Sequence, residues 1–298
     1  MGEAERPGWL EVLATGPLTT VQDLGRPGRG DLGVGRSGAA DRTALRLANR
    51  LLANPEGAAA LEVTLGGLQV RAHGDLTIAL SGAPCPATVT DAAGRARGAG
   101  HQAVERLPDG STLRLGVPRR GLRTYLAVRG GLDVPEVLGS RATDIMAGVG
   151  PDRPARGSAL PVGPPPARFP IVDLAPVTPL YAGEPVLSVL PGPRDDWFAP
   201  GALQALCAEP YEVTVDSNRV GMRLRGPCLD RVREGELPPE GMVPGALQVP
   251  PSGQPTLFLA DHPVTGGYPV IAVVRTSDVD RAAQVRPGQR VRFRLART

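Results

Sequence analysis

Along this chain the apolar residues fall into short runs, cut at close intervals by turns rich in Gly and Pro. Leu61–Leu65, Leu68–Ala72 and Leu76–Leu80 follow one another, with Gly66-Gly67 and His73-Gly74 between them. Short runs bounded by such breakers predict the strands of a β-meander. Further strands are expected at Thr112–Leu115 and Leu122–Val128, after a short apolar segment at Trp9–Ala14. The second half predicts strands at Val186–Leu190, Tyr211–Val215, Met222–Arg225, Leu247–Pro250, Thr256–Ala260, Val270–Arg275 and Arg290–Leu295. The last alternates Arg290, Arg292 and Arg294 with Val291, Phe293 and Leu295, giving one wet face and one buried face. Helical spacing is confined to two places. Leu45, Ala48, Leu51 and Leu52 lie on one face of Thr43–Ala53, with Asp41 placed to cap the first turn and Asn54-Pro55 to end it. A short helix is also expected near Ala202–Ala208. The fold class is therefore mainly β with a few short helices.

Length and proline content divide this pattern. At 298 residues the chain suggests two domains. Residues 151–185 hold ten prolines, including Pro164-Pro165-Pro166, which excludes ladders and helix interiors. The expected organisation is a β-rich half over 1–150, a Pro-rich crossing over 151–185 and a second β half over 186–298. Leu107-Pro108-Asp109-Gly110 and Arg286-Pro287-Gly288-Gln289 each lead into a strand. Two related halves or convergent turn chemistry would both produce that echo.

Charge removes several functions. All 33 basic residues are arginine and lysine is absent. Nucleotide composition bias is the economical cause. A Walker A phosphate loop, a lysine Schiff base and a biotinyl-lysine are all excluded from this chain. The formal net charge is only +3 and aromatic residues make up 3%. No stacking platform for nucleic acid is expected from that composition. Cys85, Cys207 and Cys228 are far apart and odd in number, which fits a reduced cytoplasmic setting. The opening MGEAERPGWL carries charges where a secretory leader needs an apolar core. No apolar run reaches membrane-spanning length.

Candidate chemistry sits in polar clusters beside strands. Gly33-Val34-Gly35-Arg36-Ser37-Gly38 fits G-x-G-x-x-G before a helix, but Gly/Arg-rich loop precedes it where a dinucleotide fold needs a strand. An anion-binding loop and a plain tight loop remain open, the latter being simpler. His73, His101 and His262 have no ligand spacing, so no metal site is expected, and His73 and His101 read as solvated. His262 differs: Ala260-Asp261-His262-Pro263 closes an apolar run and a Gly-rich loop with Tyr268 follows. It reads equally as an acid–base group or as a hydrogen-bonded turn residue. In Asp216-Ser217-Asn218-Arg219 the arginine offers a fork for carboxylate or phosphate, against an Asx-turn with a solvated Arg. Gln248, Ser252 and Gln254 surround a hairpin loop. No Gly-x-Ser-x-Gly elbow occurs at Ser37, Ser217 or Ser252.

Seven stretches taken in order carry a resemblance. They are Thr20–Gly28 (TVQDLGRPG), Leu32–Asp41 (LGVGRSGAAD), Ala59–Gly67 (AALEVTLGG), Val128–Val134 (VRGGLDV), Asp216–Gly221, Val243–Pro255 (VPGALQVPPSGQP) and Ala260–Pro269 (ADHPVTGGYP). From about residue 10 to 296 the chain resembles the biotin-dependent carboxyltransferase family. That group takes in the C-type component of 5-oxoprolinase, KipA and the allophanate-hydrolase-subunit-2-like half of urea carboxylase. The chain departs from it at Gly35 and Ala40, where relatives often carry Pro and Met.

The resemblance implies two cyclophilin-like β-barrel halves. It also implies partners: a KipI-like sister protein, the B-type component of 5-oxoprolinase, and an A-type component. The three would join in ATP-dependent opening of 5-oxoproline to glutamate. ATP would then be bound mainly by one of the partners. The alternatives are a carboxyltransferase taking carboxybiotin from a separate carrier to urea or another small amide, and a non-catalytic regulator that binds a KipI-like protein. By motif position, His262 is expected as acid–base or oxygen donor and Arg219 as anion clamp. Gln248, Ser252, Gln254, Asn218 and Tyr268 would recognise a small amide or lactam, with Asp23, Ser37 and Asp41 lining an opposing wall.

Overall fold

The computed structural model describes residues 8–169, 171–176, 183–233, 235 and 237–296. Parts of the Pro-rich stretch 151–185, and most of the opening MGEAERPGWL, lie outside the described residues. The chain divides into two compact units that are discontinuous in sequence. The second unit draws Arg26–Ala40 and Asp144–Gly148 from the first half of the chain and adds them to the residues that follow the Pro-rich stretch.

The first unit is two sheets enclosing one core. The larger runs, in spatial order, β11 (Ala159–Pro161), β1 (Trp9–Thr15), β4 (Leu68–His73), β9 (Thr112–Leu115), β6 (Ala87–Thr90) and β7 (Ala96–Gly98). The smaller runs β2 (Leu18–Gln22), β3 (Ala60–Thr64), β10 (Arg123–Val128), β5 (Leu76–Gly82) and β8 (Val104–Leu107). Alternation explains the packing. Leu68, Val70 and Ala72 of β4 turn inward while Arg71 faces water. They meet Leu10 and Val12 of β1 and Leu61, Ile78, Leu80 and Leu126 of the other sheet. Strand β10 is buried at every position because the core covers one face and helix α1 (Arg42–Leu51) lies against it. Leu45, Ala48 and Leu51 make the buried stripe of α1, as their spacing predicts. Asp41 caps the helix, accepting from the Ala44 amide at 2.9 Å.

Burying β10 on both faces also buries its polar residues. Tyr125 donates to Glu62 Oε2 at 2.7 Å and accepts the Asp41 amide at 2.8 Å. Arg123 lies 3.3 Å from the other Glu62 oxygen. Burial, with the Glu62 and Asp41 charges, pushes the Tyr125 hydroxyl well above its usual range.

The second unit is a closed barrel of seven strands. Its order is β12 (Val186–Pro191), β19 (Val270–Val274), β16 (Ala246–Gln248), β17 (Thr256–Phe258), β14 (Gly221–Arg225), β13 (Tyr211–Val213) and β20 (Arg290–Leu295). Parallel pairing of β20 with β12 closes it and leaves no edge. Val291 and Phe293 of β20 point into the core and Arg290, Arg292 and Arg294 do not. Two short helices accompany the barrel, α2 (Ala202–Ala208) and α3 (Thr276–Ala282). A two-stranded ribbon, β15 (Glu240–Gly241) with β18 (Thr265–Gly266), stands beside it.

The mainly β expectation holds, with α1 and α2 where spacing placed them. Strands β2, β7, β8, β11, β15 and β18 and helix α3 lack apolar alternation, while β6 alternates over only four residues, with Ala87 and Val89 in the core. His101 corrects the sequence reading: it is half-buried, and that burial pulls its pKa down to about 4.

The turn between β3 and β4 carries positive φ at Leu65 (58°), Gly66 (72°) and Gly67 (81°). A Cβ at Gly66 would overlap the carbonyl of Gly116. Gly66→Ala must therefore move backbone as well as strain φ, and should cost more than about 1 kcal/mol. Urea unfolding of the purified variant checks it; an unchanged midpoint would show that the turn relaxes freely.

Candidate functional site

The second unit brings three stretches of chain together on one carboxylate, Asp261. Leu259 and Asp261 donate backbone bonds to Val220 and Arg219 at 3.0 Å, continuing the β17–β14 ladder past the last paired strand residues. Arg219 and Asp261 thereby stand side by side. The guanidinium grips the carboxylate with two bonds, Nε to Oδ2 at 2.8 Å and Nη2 to Oδ1 at 3.0 Å. Nη2 also donates to the Gly38 carbonyl at 2.7 Å. Ser37 Oγ donates to Asp261 Oδ1 at 2.6 Å and the Ile145 amide to Oδ2 at 3.1 Å. Arg219 and Ser37 are 0% exposed and Asp261 1%. Ser37 holds φ at 52°, a left-handed conformation costly for serine, and its bond to Asp261 helps fix it there.

His262 follows directly and is 7% exposed. Its Nδ1 lies 2.8 Å from the Pro263 carbonyl. A carbonyl only accepts, so Nδ1 carries the hydrogen, and in the neutral ring Nε2 is the acceptor. Asp144 is a second buried carboxylate nearby. Its Oδ1 accepts the Met146 and Ala147 amides, each at 2.9 Å. Burial raises its pKa; the Asp261 charge adds to the rise, while the two amide bonds and Arg26 oppose it. At Gly35 the early loop passes close: a Cβ there would sit 3.4 Å from the His262 carbonyl and 3.6 Å from Asp144 Oδ2.

This loop and the segments flanking the ribbon, at 242–244 and 262–264, wall a cleft of about 210 Å³. Arg26, Arg29, Arg36 and His262 are its titratable lining groups; Val34, Met242, Pro244 and Val264 supply apolar wall. No Asp or Glu lines it among the described residues. Such a cavity suits a small anion with an apolar body. A larger cavity of about 780 Å³ lies in the first unit, with Asp75, Asp109, Asp133 and Arg129 on its walls. Asp75 and Asp109 already brace a turn there, accepting the Asp109 and Gly74 amides. None of the candidate site residues lines it.

The expected site residues scatter. Ser37 and Arg219 meet at Asp261, with His262 beside them. Gln248 donates to the Tyr268 carbonyl at 3.2 Å. Gln254 clamps the Gly226 backbone by both amide ends, at 2.8 and 3.1 Å. Ser252 is exposed, and its carbonyl accepts from Cys228. Asn218 forms an Asx-turn onto Val220 and Gly221. Asp23 and Asp41 belong to the first unit. There Asp23 binds Gly25, Ser140 and Arg141. Of these residues only His262 lines the cleft. Asp261, Asp144, Arg26, Arg29 and Arg36 were invisible as site residues; the density of arginine between Gly25 and Gly38 was the one available signal. Among the described residues no cluster of His, Cys, Asp and Glu could hold a metal ion, and no helix is long and apolar enough to cross a membrane.

Fold and cleft together define a two-unit β protein with a small basic cleft. Residues 32–295 match the model of the carboxyltransferase domain, subdomain A and B. The chain is 39% identical to the 5-oxoprolinase C subunit of Escherichia coli, over 95% of this chain and 90% of that one. It is 32% identical to urea amidolyase of Lachancea kluyveri, over 97% of this chain but 17% of that one. The crystal structure of Kluyveromyces lactis urea carboxylase superposes with a TM-score of 0.90 at 29% identity, over 99% of this chain and 28% of that one. A solved structure designated TTHA0988 matches with a TM-score of 0.84 at 36% identity, and the chain spans 57% of it. The chain belongs to the carboxyltransferase domain family, subdomain A and B.

Two substitutions test the buried cluster. Asp261→Ala removes the bidentate counter-ion from a fully buried guanidinium, and should cost about 3–5 kcal/mol in chemical denaturation; a loss below about 1 kcal/mol would mean that the site tolerates Arg219 without it. Asp144→Asn keeps the acceptor for Met146 and Ala147. A raised carboxylate pKa means the folded state binds the proton more tightly, so its stabilisation is present at low pH and fades as pH rises above the ordinary Asp value of 3.8. Relative to the parent, Asp144→Asn should gain stability as pH rises past about 4, read from melting curves; a pH-independent difference would rule this out.

Proposed function

We propose that this chain is the C-type component of an ATP-dependent 5-oxoprolinase, which opens 5-oxoproline to glutamate together with a KipI-like B-type partner and an A-type partner. The observation that carries the reading is the length of the match. Likeness to the Escherichia coli 5-oxoprolinase C subunit runs through 90% of that protein, against 17% of the Lachancea urea amidolyase. The cleft agrees in chemistry. 5-Oxoproline brings one carboxylate and one lactam carbonyl on a small ring; the cleft offers guanidinium charge, apolar wall and one imidazole.

His262 is the proton carrier in this proposal. With Nδ1 held by Pro263, Nε2 takes a proton from the attacking water as the carbon–oxygen bond forms, and returns it to the lactam nitrogen as the carbon–nitrogen bond breaks. Asp261, bonded to Ser37, Arg219 and Ile145, fixes the backbone from which His262 projects. ATP does not fit the cleft: its volume is below the ~300 Å³ at which ordinary ligand pockets begin, and lysine is absent. The proposal assigns ATP to a partner protein, in a cytoplasmic complex.

The close superposition on urea carboxylase supports a second reading, carboxyl transfer from carboxybiotin on a separate carrier to urea or another small amide. The deciding assay is 5-oxoproline-dependent ATP hydrolysis by this chain co-purified with B-type and A-type partners, with urea and a carboxybiotin carrier in parallel. ADP and glutamate formed only when this chain is present support the oxoprolinase. Turnover of urea alone moves the assignment to the transferase, and a stable complex inert toward both leaves the regulator of a KipI-like protein. In the active complex His262→Ala should lower kcat by about 10²–10⁴ without releasing the chain from its partners. Undiminished turnover would remove His262 from the chemistry.

A further inference from the structure

We infer that Arg29 and Arg36, rather than Arg219, hold the carboxylate of the small acid bound in the second-unit cleft. This rests on the reading that the substrate is 5-oxoproline or an acid of similar size. Arg219 is the one arginine whose motif position suggests an anion clamp, but its geometry assigns it another task. It is 0% exposed, and three of its bonds are committed to Asp261 and Gly38. A ligand carboxylate could reach that fork only by displacing Asp261, which would leave a buried charge without its counter-ion.

The early loop offers what Arg219 lacks. Arg29 and Arg36 are exposed, line the cleft, and make no ion pair among the described residues. Arg26 lines it too, but is 1% exposed and acts on the Asp144 charge, so it contributes background field rather than a grip. The loop is braced: Arg26 donates its amide to the Arg36 carbonyl at 2.8 Å, and Leu32 and Val34 donate to the Arg29 carbonyl at 3.1 and 3.2 Å. The backbone that carries the two guanidinium groups is therefore set before a ligand arrives, which lowers the ordering cost of binding. Val34, Met242, Pro244 and Val264 give the cleft its apolar lining. A charge pair formed against such a wall is stronger than one in open solvent. The volume, about 210 Å³, admits one five-membered ring with its carboxylate.

Two measurements test this. The full chain is titrated calorimetrically with 5-oxoproline and with 2-pyrrolidinone, the same lactam without the carboxylate, at about 50 mM and about 300 mM salt. The acid should bind at least about tenfold more tightly than the lactam, and lose affinity with salt. In the assembled complex, Arg29→Ala/Arg36→Ala should raise KM for 5-oxoproline about tenfold or more, with kcat within about threefold. Arg29→Lys/Arg36→Lys should recover part of the loss, which a merely structural role would not predict. Equal binding of acid and lactam, or an unchanged KM in the double alanine variant, overturns the inference. The two readings fail separately. A complex that turns over 5-oxoproline with KM unmoved keeps the function and loses the clamp. A complex inert to 5-oxoproline whose chain still binds the acid through Arg29 and Arg36 keeps the clamp and loses the function.

Discussion

The carboxylate of Asp261 is the constraint on which the second unit depends. It accepts from a guanidinium fork, a serine hydroxyl and a backbone amide, and these donors come from three separate stretches of sequence. Without such a centre, Arg26–Ala40 and Asp144–Gly148 would be loops with little apolar surface to hold them. Ala40 does pack with Ala260 and Ala283, but three alanines bury little area. A fully buried ion pair of this kind adds little net stability over an apolar core, because two ions must be stripped of water. Its effect is specificity: the loops have one arrangement that satisfies every donor, and slipping by one residue leaves charges unpaired.

The same solution recurs in the first unit on different residues. Glu62 sits on a strand whose neighbours are apolar, and Arg123 and Tyr125 face its carboxylate across the ladder. The Tyr125 oxygen also accepts the Asp41 amide. One side chain thus ties the N-terminus of α1 to the middle of a sheet, while the Asp41 carboxylate caps the helix. In both units a carboxylate and an arginine are placed at ladder positions by strand register. The register is set by the apolar faces around them, so core packing decides where the polar centres fall.

Much of the fold was legible in the sequence for this reason. Where one face of a strand is buried, alternation or a short apolar run marks it: β9, β20 and helix α2 coincide with their expected bounds. Legibility failed where polar residues fill the buried positions or where no face is buried. Leu18–Gln22 buries threonine and glutamine, with Gln22 bonded to Thr20 and Thr143; Leu18 and Val21 are its only apolar residues and do not alternate. Ala96–Gly98 is exposed throughout and owes its strand to pairing with β6 alone. The site was harder still. Asp261 and His262 are adjacent, and the sequence drew attention to the histidine because its chemistry is familiar. That Asp261 would be the hub depends on contacts more than 100 residues distant along the chain, at Ser37 and Ile145. Gln254 and Asn218 were singled out for groups that the fold spends on their own backbone turns.

The arginines show how far composition can mislead. A chain without lysine offers no contrast between its cations, so nothing in residue type separates a structural guanidinium from a binding one. Burial and partners separate them. Arg219 needs the planar fork, since two parallel bonds to Asp261 and a third to Gly38 exceed what a point-charge ammonium holds in fixed geometry. Lysine there would leave the Gly38 carbonyl or one carboxylate oxygen unserved in a dry interior. Arg29 and Arg36 face a cleft with water on one side, where either cation would supply charge. The demand for arginine is therefore stereochemical at the buried hub and electrostatic at the cleft, and one residue type conceals two physical roles.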